Sequence, residues 1–182
     1  MKKLILLHFI SCLIIIFFGA GSAFPYETKG SHANILQGNW IVGGDIRFSG
    51  TWYSNDTSTT IFSFTAPLQH FFWDYLALGG RLNYSHTSQG SFSDDTFGIG
   101  PSVTYFFWEK EKLASYFSSS FFYTDSSNSD HFYTGSLELG INYFFTPSVS
   151  LGPAIQYSHR FGTGNVQEAN QISTAANFTL FL

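Results

Sequence analysis

Tyr133-Thr134-Gly135-Ser136-Leu137-Glu138-Leu139-Gly140-Ile141-Asn142-Tyr143-Phe144-Phe145 alternates, almost residue by residue, between large apolar side chains and small or polar ones. Successive side chains of a β-strand point to opposite faces. Tyr133, Leu137, Leu139, Ile141, Tyr143 and Phe145 therefore share one face, and Thr134, Ser136, Glu138, Gly140 and Asn142 the other. The stretch exceeds the roughly 9 to 11 tilted residues that cross a bilayer. A short turn follows, and then a second alternation sets Val149, Leu151, Ile155, Tyr157 and Phe161 against Ser150, Gly152, Ala154, Gln156 and Arg160.

This hairpin recurs. Gln69-His70-Phe71-Phe72 through Leu78-Gly79 to Tyr84-Ser85-His86 matches, without gaps, Asn142-Tyr143-Phe144-Phe145 through Leu151-Gly152 to Tyr157-Ser158-His159. A third copy runs from Thr104-Tyr105-Phe106-Phe107 across Glu109-Lys110-Glu111-Lys112 to Phe121-Phe122-Tyr123. Each copy is a strand, an aromatic exit, a short turn and a returning strand. With one strand before them and one after, eight are predicted, at 40–52, 60–71, 76–87, 96–107, 113–124, 132–145, 149–161 and 172–182. The remaining connections, 53–59, 88–95, 125–131 and 162–171, are longer and rich in Ser, Asn, Asp, Thr and Gly. In the fifth strand Tyr116 and Phe122 fall on the polar parity, which weakens its register.

Alternation alone also suits a soluble barrel with its apolar face inside. Volume excludes that arrangement, because an eight-stranded barrel has an interior just wide enough for side chains or one small ligand. Several bulky residues per strand cannot fit there. Turned outward they meet lipid, and closure leaves no unpaired edge in the hydrocarbon. The predicted fold is an all-β, eight-stranded, antiparallel, up-and-down transmembrane β-barrel. His70, Phe71, Phe72, Trp73, Tyr105, Phe107, Trp108, Tyr143 and Phe145 would form an aromatic girdle where hydrocarbon meets head groups. Asp45, Arg47, Arg81, Glu138 and Arg160 all fall on the small-residue parity, so they are predicted to form a salt-bridged network filling the interior.

From Trp40-Ile41-Val42-Gly43-Gly44 to Phe178-Thr179-Leu180-Phe181-Leu182 the chain resembles the small eight-stranded outer-membrane barrels of Gram-negative bacteria, the OmpA transmembrane-domain and OmpX type. The resemblance implies an outer-membrane location, lipid and lipopolysaccharide as surroundings, the barrel-assembly machinery as a partner in biogenesis, and a monomer. Such proteins end in an alternating signal usually closed by an aromatic residue; here Phe178, Leu180 and Leu182 keep the alternation but the last residue is Leu.

The N-terminus reads as a secretory signal over 1–23. Lys2 and Lys3 precede an apolar stretch, and Gly21-Ser22-Ala23 offers small residues for cleavage. Residues 24–37 read as a loose lead-in and 38–182 as the barrel domain. Cys12 would leave with the signal, so the mature chain has no thiol chemistry and no Cys-based zinc site. Only Lys29, Arg47, Arg81, Lys110, Lys112 and Arg160 remain as permanent cations, too few for a nucleic-acid surface. No cofactor is expected. His32, His70, His86, His131 and His159 lack metal-ligand spacing.

One chemical alternative stands beside a structural or surface-interaction role. His86-Thr87-Ser88, with Asp94 and Asp95 nearby, resembles the His-x-Ser arrangement of lipid A deacylases, in which a base, a hydroxyl and an orienting acid are needed. Against it, Tyr157-Ser158-His159 repeats the histidine where Phe161 replaces the serine. A narrow channel through the interior is the third reading.

Overall fold

Lipid on one side and a narrow lumen on the other impose the two-residue period, and the chain answers it along its whole length. The computed structural model describes residues 33–52, 58–89, 92–127, 131–161 and 168–182, with the side chains of 47–52, 58, 59, 89 and 92 outside that description. The predicted signal also lies outside it. Eight strands follow one another: β1 (Trp40–Trp52), β2 (Ser58–Trp73), β3 (Leu76–Gln89), β4 (Phe92–Lys110), β5 (Leu113–Ser126), β6 (Phe132–Thr146), β7 (Val149–Phe161) and β8 (Ala169–Phe181). Each pairs antiparallel with the next, and β8 returns to β1, closing an up-and-down barrel.

The wall faces the way volume requires. Ile46, Leu82, Ile99, Leu139, Ile141 and Ile155 lie exposed on the outside, Leu139 at 55%, whereas Glu138 beside it is 1% exposed. Tyr116 and Phe122 keep the fifth strand's register after all, because both are buried inside. The lumen admits Tyr116 since Gly140 lies opposite it in the β5–β6 ladder. A Cβ on Gly140 would stand 2.5 Å from the ring and hydroxyl of Tyr116. Gly140→Val should therefore cost about 1 to 3 kcal/mol through overpacking. Gly80→Ala, whose nearest neighbour would be 3.7 Å away, should change stability by no more than about 0.5 kcal/mol. Urea titration in lipid vesicles measures both.

One end carries turns of two residues, 74–75, 111–112 and 147–148. Tyr75 and Glu111 adopt φ values of 67° and 53° there, as tight hairpins of right-twisted strands demand. At the opposite, loop end the strands outrun the sequence prediction: the expected loop 88–95 is largely ladder, with Thr87↔Asp94 and His86↔Asp95 paired. Side-chain pairs across these strands, described below, reward the extension beyond the apolar band.

The stretch predicted as a loose lead-in is held fast over its described part. Ile35 is fully buried at the turn end. Asn34 N donates to Pro147 O at 2.9 Å, Tyr75 N to Ile35 O at 2.9 Å and Gly38 N to Phe71 O at 2.9 Å. Gln37 N donates to Asp74 Oδ1 at 2.9 Å. Residues 33–39 thus stopper that end of the barrel.

Candidate functional site

Three layers fill the lumen. At the turn end Phe71, Phe106, Phe144 and Phe181 pack with Ile35, Ile41 and Tyr116 into an apolar plug. Phe181 is its hub, with ring centroids 5.1 Å from Phe144, 5.9 Å from Phe106 and 6.4 Å from Phe71. Phe71 is therefore no girdle residue, contrary to the sequence expectation. Unbroken alternation carries it inward with Gln69, and a β-bulge follows: the register shifts between Phe71 and Trp73, between Phe106 and Trp108, and between Phe144 and Thr146. In each repeat the first Phe turns inward, exposed by 0%, 3% and 2%. The next two residues, Phe72-Trp73, Phe107-Trp108 and Phe145-Thr146, both turn outward, because a bulge lets two residues oppose one.

Trp40, Phe72, Trp73, Phe107, Trp108, Tyr143 and Phe145 lie exposed around the turn end. His70 and Tyr105 stand half-buried among them, and His70 meets Trp40 and Phe72 edge-on at 4.8 and 5.0 Å. A second ring of outward aromatics at the loop end escaped the sequence reading: Tyr84, Phe97, Tyr123, Tyr133 and Tyr157. Its signal was present as outward-parity aromatics at the loop-side ends of β3 to β7.

Above the plug lies a polar layer. Arg81 Nη2 approaches Glu138 Oε1 at 3.4 Å, with both side chains buried. Tyr116 donates its hydroxyl to the same oxygen at 3.0 Å, and Asn177 Nδ2 donates to the Tyr116 hydroxyl. Asp45, also buried, acts on Arg81 electrostatically. Beside them Gln69 Nε2 donates to Ser102 Oγ at 2.8 Å, and the Thr104 hydroxyl lies 2.9 Å from Gln69 Oε1 and 3.0 Å from Ser118 Oγ. Of the five charges predicted to form one network, Asp45, Arg81 and Glu138 come together. The Arg47 side chain lies outside the described residues. Arg160 stands apart at the loop end, its guanidinium 4.3 Å over the Phe132 ring, because parity fixes a residue's face but not its height.

The third layer, toward the loop end, is a cavity of about 370 Å³. Ser136, Ser158, Thr134, Asn83, Gln156 and Arg160 are among its lining residues.

On the outer rim, His86 Nδ1 lies 2.8 Å from Asp95 Oδ1, and Tyr84 donates to that same oxygen at 2.8 Å. Asp94 turns the other way, accepting from Ser126 at 2.9 Å and Ser127 at 3.0 Å. Only one of the two predicted acids meets the histidine, since neighbours on a strand face opposite sides. No hydrogen bond joins Ser88 to His86 among the described residues. The second copy of the repeat builds the same figure without carboxylate or serine: His159 Nδ1 lies 2.8 Å from Asn170 Oδ1, and Tyr157 donates to that oxygen at 2.7 Å.

No protein-family model and no curated protein matches the sequence. Solved structures do. The chain is similar to Neisserial surface protein A (NspA), at 17% identity and a TM-score of 0.61, over 79% of this chain and 99% of that one. It is similar also to the N-terminal β-barrel domain of Pseudomonas aeruginosa OprF, at 12% identity and a TM-score of 0.51, over 81% and 98%. At such identities the likeness is one of fold: a small eight-stranded barrel of outer-membrane type.

Proposed function

We propose that the protein is a non-enzymatic integral barrel of the bacterial outer membrane, exported with removal of residues 1–23 and serving a structural or surface-interaction role in the envelope. The observation that carries this reading is a wall apolar outside, ringed by aromatics at both ends, around a lumen stoppered by Phe71, Phe106, Phe144 and Phe181 and then by Arg81 and Glu138. The two-residue turns then face the periplasm and the longer loops the exterior. Lipid and lipopolysaccharide are its surroundings, the barrel-assembly machinery inserts it, and it acts as a monomer. Two stacked layers of buried side chains obstruct the lumen, which argues against the channel. In planar bilayers the protein should stay silent at high load; discrete conductance steps would overturn the closed-lumen reading.

The His86–Asp95 contact favours a second reading, the lipid A hydrolase with His86 as base, Ser88 as nucleophile and Asp95 as the orienting acid. The Tyr157–His159–Asn170 figure argues against it, because an identical ring placement occurs there with no acid and no serine. Anchoring an amphipathic ring at the interface accounts for both copies. Lipid A from cells making the protein, its Ser88→Ala variant or neither should carry identical acyl patterns. Loss of an acyl chain only with the unaltered protein would establish the hydrolase.

A further inference from the structure

The barrel seam is closed over only part of its height. β1 pairs with β8 from Ile41↔Phe181 to Ile46↔Ala176. Toward the loop end β1 continues on β2 as far as Trp52↔Ser58, and β8 continues on β7 as far as Ala169↔Arg160, with no pairing between β1 and β8 beyond Ile46↔Ala176 among the described residues. The unpaired part of β8 lies level with the lumen cavity, because Ser173 opposes Gln156 and Gln171 opposes Ser158 across the β7–β8 ladder. A second observation agrees. Ile172 and Thr174 have outward parity, set by their partners Tyr157 and Ile155, yet both line the cavity. Ile172 is 76% exposed, well above the other outward aliphatic residues. The cavity therefore lies directly against the stretch of β8 that has no β1 partner among the described residues.

We infer that this cavity binds an acyl-bearing anionic amphiphile whose head group sits in the lumen and whose chain leaves between β1 and β8 into the surrounding acyl layer. The inference rests on the membrane-spanning reading above. The head-group chemistry follows from the lining. Ser136, Ser158 and Thr134 supply hydroxyls, and Arg160 supplies the cation. The Arg160 guanidinium lies over the Phe132 ring, and Asp94 acts on the same cation electrostatically, so an incoming carboxylate or phosphate shares or displaces that countercharge. The volume, about 370 Å³, falls in the range of small-molecule sites. The chain would lie over Ile172. An unpaired strand edge in hydrocarbon is costly, and a lumen that holds water or a polar head behind the edge makes it tolerable.

The test uses the barrel in phosphatidylcholine nanodiscs, with backbone amide NMR shifts read during titration of dodecyl phosphate, inorganic phosphate or dodecanol. Dodecyl phosphate should give saturable shifts at Ser136, Ser158 and Arg160 and along residues 171–175. Arg160→Ala should weaken its binding by about tenfold or more, as loss of a charge-assisted contact does. Ser158→Trp, and separately Ser85→Trp from the opposite wall, should abolish the lumen shifts; heat-modifiable gel migration identifies which variants are folded. Equal shifts in the filled variants would mean general partitioning and overturn the inference. It would equally fall if inorganic phosphate reproduced the full pattern, or if residues 169–175 became protected by pairing with a second copy. A protein that does not enter nanodiscs contradicts the membrane reading instead.

Discussion

Glu138→Ala is expected to lower the free energy of unfolding by about 3 to 5 kcal/mol, because it strands the Arg81 guanidinium in the lumen without its carboxylate. The loss is large for two reasons. Arg81 and Glu138 are almost wholly withdrawn from solvent, and the same carboxylate oxygen accepts from Tyr116. Desolvation of the arginine remains after the carboxylate it contacts is gone, with only Asp45 left to offset it. Removing both charges at once, as Arg81→Met with Glu138→Leu, should recover only part of the loss, since the apolar pair has no desolvation to offset but buried Asp45 then loses the Arg81 countercharge. Urea titration in vesicles, followed by circular dichroism, measures the difference. A single variant as stable as the parent would show that water screens the pair and that the lumen is not closed at this height.

Phe181→Ala should cost a similar amount, about 3 to 5 kcal/mol, as truncation of a fully buried aromatic side chain does. Phe181 touches three other rings of the plug, so the vacated volume has no flexible neighbour to refill it. Phe178→Ala is the matched comparison: it lies on the same strand but faces outward, 48% exposed, where lipid closes over the deletion. Its loss should be clearly smaller. In vitro refolding separates stability from recognition of the C-terminal residues during assembly. The Phe181→Ala barrel should also remain electrically silent, because the Arg81–Glu138 layer still spans the lumen.

The sequence carried most of the architecture because one physical demand, lipid outside and little room inside, writes the same two-residue period into every strand. It carried the faces of Asp45, Arg81, Glu138 and Arg160, but their heights depend on strand tilt and register between distant strands, so Arg160 could not be told from the central group. Phe71 was misplaced for a different reason. In Phe71-Phe72-Trp73 every residue is a large aromatic, and such a run is compatible with either phase once a bulge interrupts the alternation; counting outward from Leu68 and His70 gives its true side. Ile35 offered no period at all, since Ile35 and Leu36 stand side by side in a short segment, and its burial comes from packing in the plug. Nothing in the local sequence marks the end of the β1–β8 ladder at Ile46, since pairing between the first and last strands is the longest-range contact in the fold. At the rim, alternation alone would have separated Asp94 from Asp95 had the ladder been drawn far enough.

The orientation of the wall is tested most directly by nitroxide labels placed singly at Leu139 and Ser136 in bilayers, with relaxation by oxygen and by a water-soluble nickel chelate compared at each. Leu139 is exposed on the outer face and Ser136 is buried on the inner one, three residues away on the same strand. The label at Leu139 should be relaxed by oxygen and shielded from nickel, as in acyl chains, and the label at Ser136 should lack that lipid signature. A nickel-accessible Leu139 together with an oxygen-rich Ser136 would contradict the account.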